Sequence, residues 1–193
     1  MEFLMTTHHP LIRAARTTAA VLAVAAVACA LPTRAHEGQH IKDVFAFTSQ
    51  EDSDRLVLTL TLDDAATFDD HALYEFKIDS NADGVEDKVV QATFAGSGQD
   101  QTVTIHGPAV PEVTGGHGKV LRGATLSGNV SLADNPEVLA QPGYPVRAFA
   151  GLRDDPSDKT GRNVLAIVVE VRKDAVVAEG VSTVDVWATI STP

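Results

Sequence analysis

The stretch Arg55–Leu62, "RLVLTLTL", places leucine at 56, 58, 60 and 62 with Val57, Thr59 and Thr61 between them. Strict alternation of this kind gives a strand with one apolar face, and no helix holds that spacing on one side. The same period returns along the chain. "ALYEFKI" puts Tyr74, Phe76 and Ile78 on one face and Glu75 and Lys77 on the other. "VVQATF", "TVTIH", "ATLSGNVSL" and "VRAFAGL" are shorter and rich in β-branched or aromatic residues, and "STVDVWATIS" aligns Val184, Val186, Ala188 and Ile190. "NVLAIVVEV", Asn163–Val171, is nearly all apolar, as a central strand covered on both faces would be.

Helix signals are scarce. "NPEVLAQ" and "KDAVVAEG" each have room for one or two turns, the second ending at Gly180. "GPAVPEVTGGHGK", Gly107–Lys119, is rich in Pro and Gly and reads as a loop. About eight strands with a turn signal every ten or so residues predict an all-β fold, an antiparallel β-sandwich with one or two short helical turns.

The N-terminus belongs to targeting rather than to the fold. Arg13 and Arg16 precede the small apolar run "TTAAVLAVAAVACAL", and "PTRA" follows. This pattern predicts a signal peptide over residues 1–35, cleaved near Ala35, and a single β-sandwich domain over 36–193. The run is too short and too alanine-rich for a membrane span, so the mature chain is expected to have none. An alternative makes Cys29 a lipidated N-terminus. The localisation expected is export, to the periplasm or beyond. Loss of Arg13, Arg16, Arg34 and Glu2 takes the chain from 15 basic and 26 acidic residues to 12 and 25, a net charge of −13. Such a surface repels phosphate, which argues against nucleic acid and anionic lipid as partners. Cys29 is the only cysteine and leaves with the signal, so thiolate and disulfide chemistry leave with it.

Three stretches, "DVFAFTSQEDSDRLVLTLTL", "FDDHALYEFKIDSNADGVEDKVVQATF" and "AFAGLRDDPSDKTGRNVLAIVVEV" with its ending "VDVWATIS", resemble a bacterial family catalogued as domain of unknown function 4331. The resemblance implies an exported, β-rich protein whose first strand pair opens at Asp43, and it names no reaction. This chain has "AHEGQH" where family members usually carry "SSHREAP", and "SDKTGRN" after Pro156 where they carry aromatic residues.

The strongest chemical pattern is "KIDSNADGVEDKV", Lys77–Val89. Counted as a cation loop, Asp79, Asn81 and Asp83 stand at positions one, three and five. Gly84 takes the sharp turn, Val85 offers its carbonyl at seven, and Asp87 stands at nine. At twelve, where a helix–loop–helix calcium site has a bidentate Glu, stands Val90. The flanks are strands, so the expectation is a Ca²⁺ site of modest affinity ligated by Asp79, Asn81, Asp83, Val85 and Asp87. Asp79, Asp83, Glu86 and Asp87 crowd together with Lys77 and Lys88 beside them, and a divalent cation would relieve their repulsion. The competing reading is a polar turn joining two strands.

Two further constellations are open. Asp154 and Asp155 in "GLRDDPSD" form a carboxylate pair that a hydrolase can split into acid and base roles, against a plain turn set by Pro156. His36, if cleavage leaves it first, can chelate copper through its amine and imidazole, with His40 or another histidine completing the site. His106 and His117 flank the Gly-rich loop. No G-x-S-x-G, P-loop or H-E-x-x-H pattern occurs. The expected function is therefore an exported, non-catalytic binding or structural module of unassigned ligand that carries calcium, with hydrolase and copper-handling readings as alternatives.

Overall fold

The computed structural model describes residues 39–63, 67–115, 118–132, 136–154 and 163–192. The proposed signal peptide with Cys29, together with His36, His117 and Asp155, lies outside these residues.

Two antiparallel five-stranded sheets make an all-β sandwich. One sheet runs in the order β1 (His40–Thr48), β2 (Arg55–Asp63), β9 (Asn163–Arg172), β8 (Val146–Asp154) and β7 (Leu139–Ala140). The other runs β10 (Asp185–Ser191), β3 (Leu73–Asp79), β4 (Lys88–Ala95), β5 (Thr102–Ala109) and β6 (Thr125–Asn129). As "NVLAIVVEV" predicts, β9 is the central strand of its sheet, with β2 and β8 on either side.

The alternation builds the core. Leu56, Leu58, Leu60 and Leu62 of β2 all point inward and are fully buried. They meet Tyr74, Phe76 and Ile78 of β3, Val90, Ala92 and Phe94 of β4, and Ile167 and Val169 of β9 in one apolar cluster. At roughly 1.5–3 kcal/mol per buried large apolar side chain, this layer is the main favourable term in folding. Phe68 stacks on Phe94 with ring centroids 4.0 Å apart, and Tyr74 meets both edge-on. The Tyr74 hydroxyl is not stranded by this burial, because Gln39 Oε1 accepts from it and the Asp69 amide donates to it at 2.9 Å. Burial, with the Asp69 amide opposing and the Asp69 charge reinforcing it, pushes the phenol well above its usual range.

Ten strands stand where about eight were expected. One addition is β1, the opening strand that the family resemblance implied. The other, β7, falls in "NPEVLAQ", where a helical turn was expected. There Leu139 drops into the core against Gly128, and the chain goes extended to pair with β8. "KDAVVAEG" does form α1 (Lys173–Val176), but as a single turn that stops short of Gly180. Val177 and Val181 pack against the core instead, and that packing outweighs continued helix. One 3-10 turn, Gly98–Asp100, had no clear signal. Among the described residues no helix is long and apolar enough to cross a membrane.

A larger departure concerns β3. Glu75 and Lys77 do face away from the core, yet every residue of this strand is buried. The chain between β5 and β6 lies over the outer face of the second sheet and roofs it, as its contacts to Glu86, Lys77, Gln91 and Glu75 show.

Candidate functional site

The loop Asp79–Asp87 closes the hairpin between β3 and β4. Its organiser is the Asp79 carboxylate. Oδ1 accepts from the amides of Asn81 at 2.9 Å and Ala82 at 2.7 Å, and Oδ2 accepts from the amide of Gly84 at 2.7 Å. The next two oxygen-bearing residues repeat the device. Asn81 Oδ1 takes the Asp83 amide and Asp83 Oδ1 takes the Val85 amide, each at 2.9 Å. Side-chain capping of the amide two residues on is how Asx residues curl a chain. Asp87 closes the turn from the other end, its Oδ2 accepting from both the amide and the hydroxyl of Ser80, and its Oδ1 from Asn81 Nδ2.

Two residues here take left-handed backbone, Ala82 at φ 63° and Gly84 at φ 80°. Glycine does this without steric cost, whereas alanine does not. The hydrogen bonds that Asp79 makes to both sides of Ala82 hold it there. Burial by itself raises the Asp79 carboxyl, but the amides of Gly84, Asn81, Ala82 and Asp83 outweigh it and hold the group below the usual carboxylate range.

The structure thus separates the five predicted ligands. Asp79 is buried and commits both oxygens to amides, Asn81, Asp83 and Val85 stand exposed at the tip, and Asp87 is half-buried against Ser80. Among the described residues, no three or more His, Cys, Asp or Glu side chains are grouped to hold a metal ion.

Glu86, the loop residue with no ligand role in the pattern, has a different partner. Its Oε1 lies 2.8 Å from Lys77 Nζ, and both side chains are buried. The Gly115 amide donates to the same oxygen at 3.0 Å, and the Gly115 carbonyl accepts from Lys77. An ion pair out of water persists only when further hydrogen bonds complete it, and Gly115 supplies them.

Beside this pair a polar row crosses the whole outer face of the sheet. Register sets Thr189 of β10, Glu75 of β3, Gln91 of β4, His106 of β5 and Thr125 of β6 side by side. Gln91 is the link. Its Nε2 donates to Glu75 Oε1 at 2.9 Å and to the Lys119 carbonyl at 2.9 Å, and its Oε1 accepts the Leu121 amide at 2.7 Å. Thr189 donates to the other Glu75 oxygen at 3.3 Å. His106 Nε2 lies 3.0 Å from Thr93 Oγ1, while His106 Nδ1 is buried with no hydrogen-bond partner. Burial holds this imidazole below the ordinary histidine range, and the nearby Leu121 backbone pulls it back only in part. Sequence reasoning missed this row. Its members are the polar positions of alternating strands, which read as solvated until the roof is known.

The remaining candidates are not brought together. Asp154 ends β8, and its predicted partner Asp155 lies outside the described residues, as does His36 of the copper reading. Arg153 beside them lays its guanidinium 3.6 Å from the centroid of the Phe149 ring and donates to the Leu152 carbonyl. Comparison of the chain with family models, with curated proteins and with solved structures gives no match. The fold and the loop therefore define the class alone, a two-sheet β-sandwich with an Asx-organised hairpin loop.

Proposed function

We propose that this protein is an exported, non-catalytic β-sandwich module of the kind the resemblance to domain of unknown function 4331 implies, and that its Asp79–Asp87 loop takes up Ca²⁺. The observation that carries the reading is the ladder of Asx turns from Asp79 through Asn81 to Asp83, bent at Ala82 and Gly84. That curl sets oxygen side chains at alternate positions with a tight turn at the sixth, which is the backbone form a hard cation uses. Asp83 and Asn81 are exposed at the tip, and Val85 beside them offers a carbonyl, so an ion is reached from solvent with little rearrangement of the sheet. Ligation draws Asp83 and Asp87 toward the ion, and water fills the open positions, so affinity is modest.

The test is thermal. Millimolar Ca²⁺ raises the melting temperature of the protein, Mg²⁺ raises it less, and Asp79→Ala combined with Asp83→Ala abolishes the rise. A melting curve that neither Ca²⁺ nor chelator moves leaves the loop a plain turn. Elemental analysis of protein purified from the exported fraction separates calcium from copper in the same sample.

A further inference from the structure

We propose that Lys77 and Glu86 condense into an internal amide, a covalent cross-link from β3 to the far end of its own hairpin loop. The inference uses none of the residues assigned to the cation and stands whether or not that loop binds one.

The two groups already meet in a place suited to condensation. Lys77 Nζ lies 2.8 Å from Glu86 Oε1, with the side chains 1% and 3% exposed. Gly115 brackets the pair, its amide donating to Oε1 at 3.0 Å and its carbonyl accepting from Nζ. The second oxygen, Oε2, has no hydrogen-bond partner among the described residues. One oxygen is thus pinned as a carbonyl, and the other is free to leave. Neighbouring carboxylates do not compete for the amine. Glu75 and Asp79 stand on the same face of β3, but Gln91 and Thr189 engage Glu75, and the amides of Asn81, Ala82 and Gly84 occupy Asp79.

The step balances within the pair. Nζ passes one proton to Oε2, leaving an amine beside a carboxylic acid, because burial penalises the two charges and not their neutral forms. Turning the carboxyl about its Cγ–Cδ bond, a broad torsion, brings Cδ against the nitrogen lone pair. Nζ attacks Cδ, and the Gly115 amide stabilises the charge that develops on Oε1. A second proton moves from Nζ to Oε2, the Cδ–Oε2 bond breaks, and one water departs. The ammonium has given up two protons and the carboxylate one oxygen, and nothing is oxidised or reduced. The product presents one N–H and one carbonyl, the two functions that Gly115 already meets. Two features favour the amide here over the same condensation in water. Fixed proximity supplies effective concentrations of up to about 10⁵–10⁸ M, and the product no longer bears the desolvation cost of two ions. The link staples a chain whose single cysteine leaves it no internal disulfide.

Mass spectrometry of the unmutated protein in denaturant, with its N-terminus sequenced, tests this, because an ion pair falls apart there and an amide does not. The chain is expected to weigh less than its sequence by the mass of one water. Cleavage before aspartate cuts at Asp79 and Asp83, and it should leave a fragment bearing Lys77 joined to one bearing Glu86. Lys77→Arg keeps a cation at the site and should recover both the full mass and separate fragments. Full mass in the unmutated protein overturns the proposal. So does a missing water without joined fragments, as a succinimide at Asp83–Gly84 would give. If Lys77→Arg does not fold, the presence or absence of joined fragments in the unmutated protein decides alone.

Discussion

Ala82 and Gly84 stand two residues apart in the same loop, share a left-handed backbone, and differ by one methyl group. A Cβ added at Gly84 meets no atom within 4 Å, so Gly84→Ala carries a conformational cost alone, about 1–2 kcal/mol. Ala82→Gly should do the opposite, relieving that cost less the extra freedom glycine gives the unfolded chain, a net gain of up to about 1 kcal/mol. Urea unfolding of both variants checks the pair, and the two signs must differ. The glycine was legible, because a Gly flanked by Asx residues has few other uses. Ala82 was not, since alanine carries no left-handed preference, and its conformation is imposed by the Asp79 carboxylate. The five predicted ligands were legible as a curled loop. Their partition between amides and solvent was not, because it depends on which oxygen each amide reaches first.

At the scale of the element, β3 shows what alternation can and cannot convey. The pattern assigns Tyr74, Phe76 and Ile78 to the core and Glu75 and Lys77 to the other face, and the fold agrees. Whether that other face is wet depends on a loop more than thirty residues away in sequence, as the Lys77 to Gly115 contact shows. Period says which side a residue is on, and only tertiary packing says what lies there. The consequence for Lys77 is large. Lys77→Met strands the Glu86 carboxylate in the interior and should cost about 3–5 kcal/mol, far beyond a surface ion pair. Lys77→Met with Glu86→Met removes both charges, and urea denaturation should find the double variant more stable than the single one. Additive losses would show that the pair contributes through Gly115 alone. β7 escapes the pattern for a related reason, because two residues cannot announce a strand and Leu139 packs against Gly128, where a side chain would overlap it.

For the molecule as a whole, His106 and Asp79 each contribute to the response to acid, and they act in separate windows. The unfolded chain takes up a proton at histidine near the ordinary value of 6.5, before folded His106 does, so stability begins to fall as pH drops below that value and stops falling once the folded imidazole titrates. Asp79 titrates lower in the fold than out of it. Its contribution is complete above the ordinary value of 3.8 and disappears as pH falls through the lowered one. Urea midpoints measured from pH 8 to pH 2 should therefore decline in two steps, with His106→Gln removing the upper and Asp79→Asn the lower. The two-sheet architecture behind this was legible from alternation, while the strand order was not. That order carries a kinetic consequence. β2 finds its inner neighbour only in β9, and β3 borders β10, so residues 55–63 wait for 163–172 and residues 73–79 for 185–191. Neither sheet is whole until the chain has been made almost to its last described strand. Pairings this distant close slowly, in milliseconds to seconds for sandwiches of this type. A polypeptide wired in this way pairs its hairpins early and can close neither sheet until its C-terminal strands have been made.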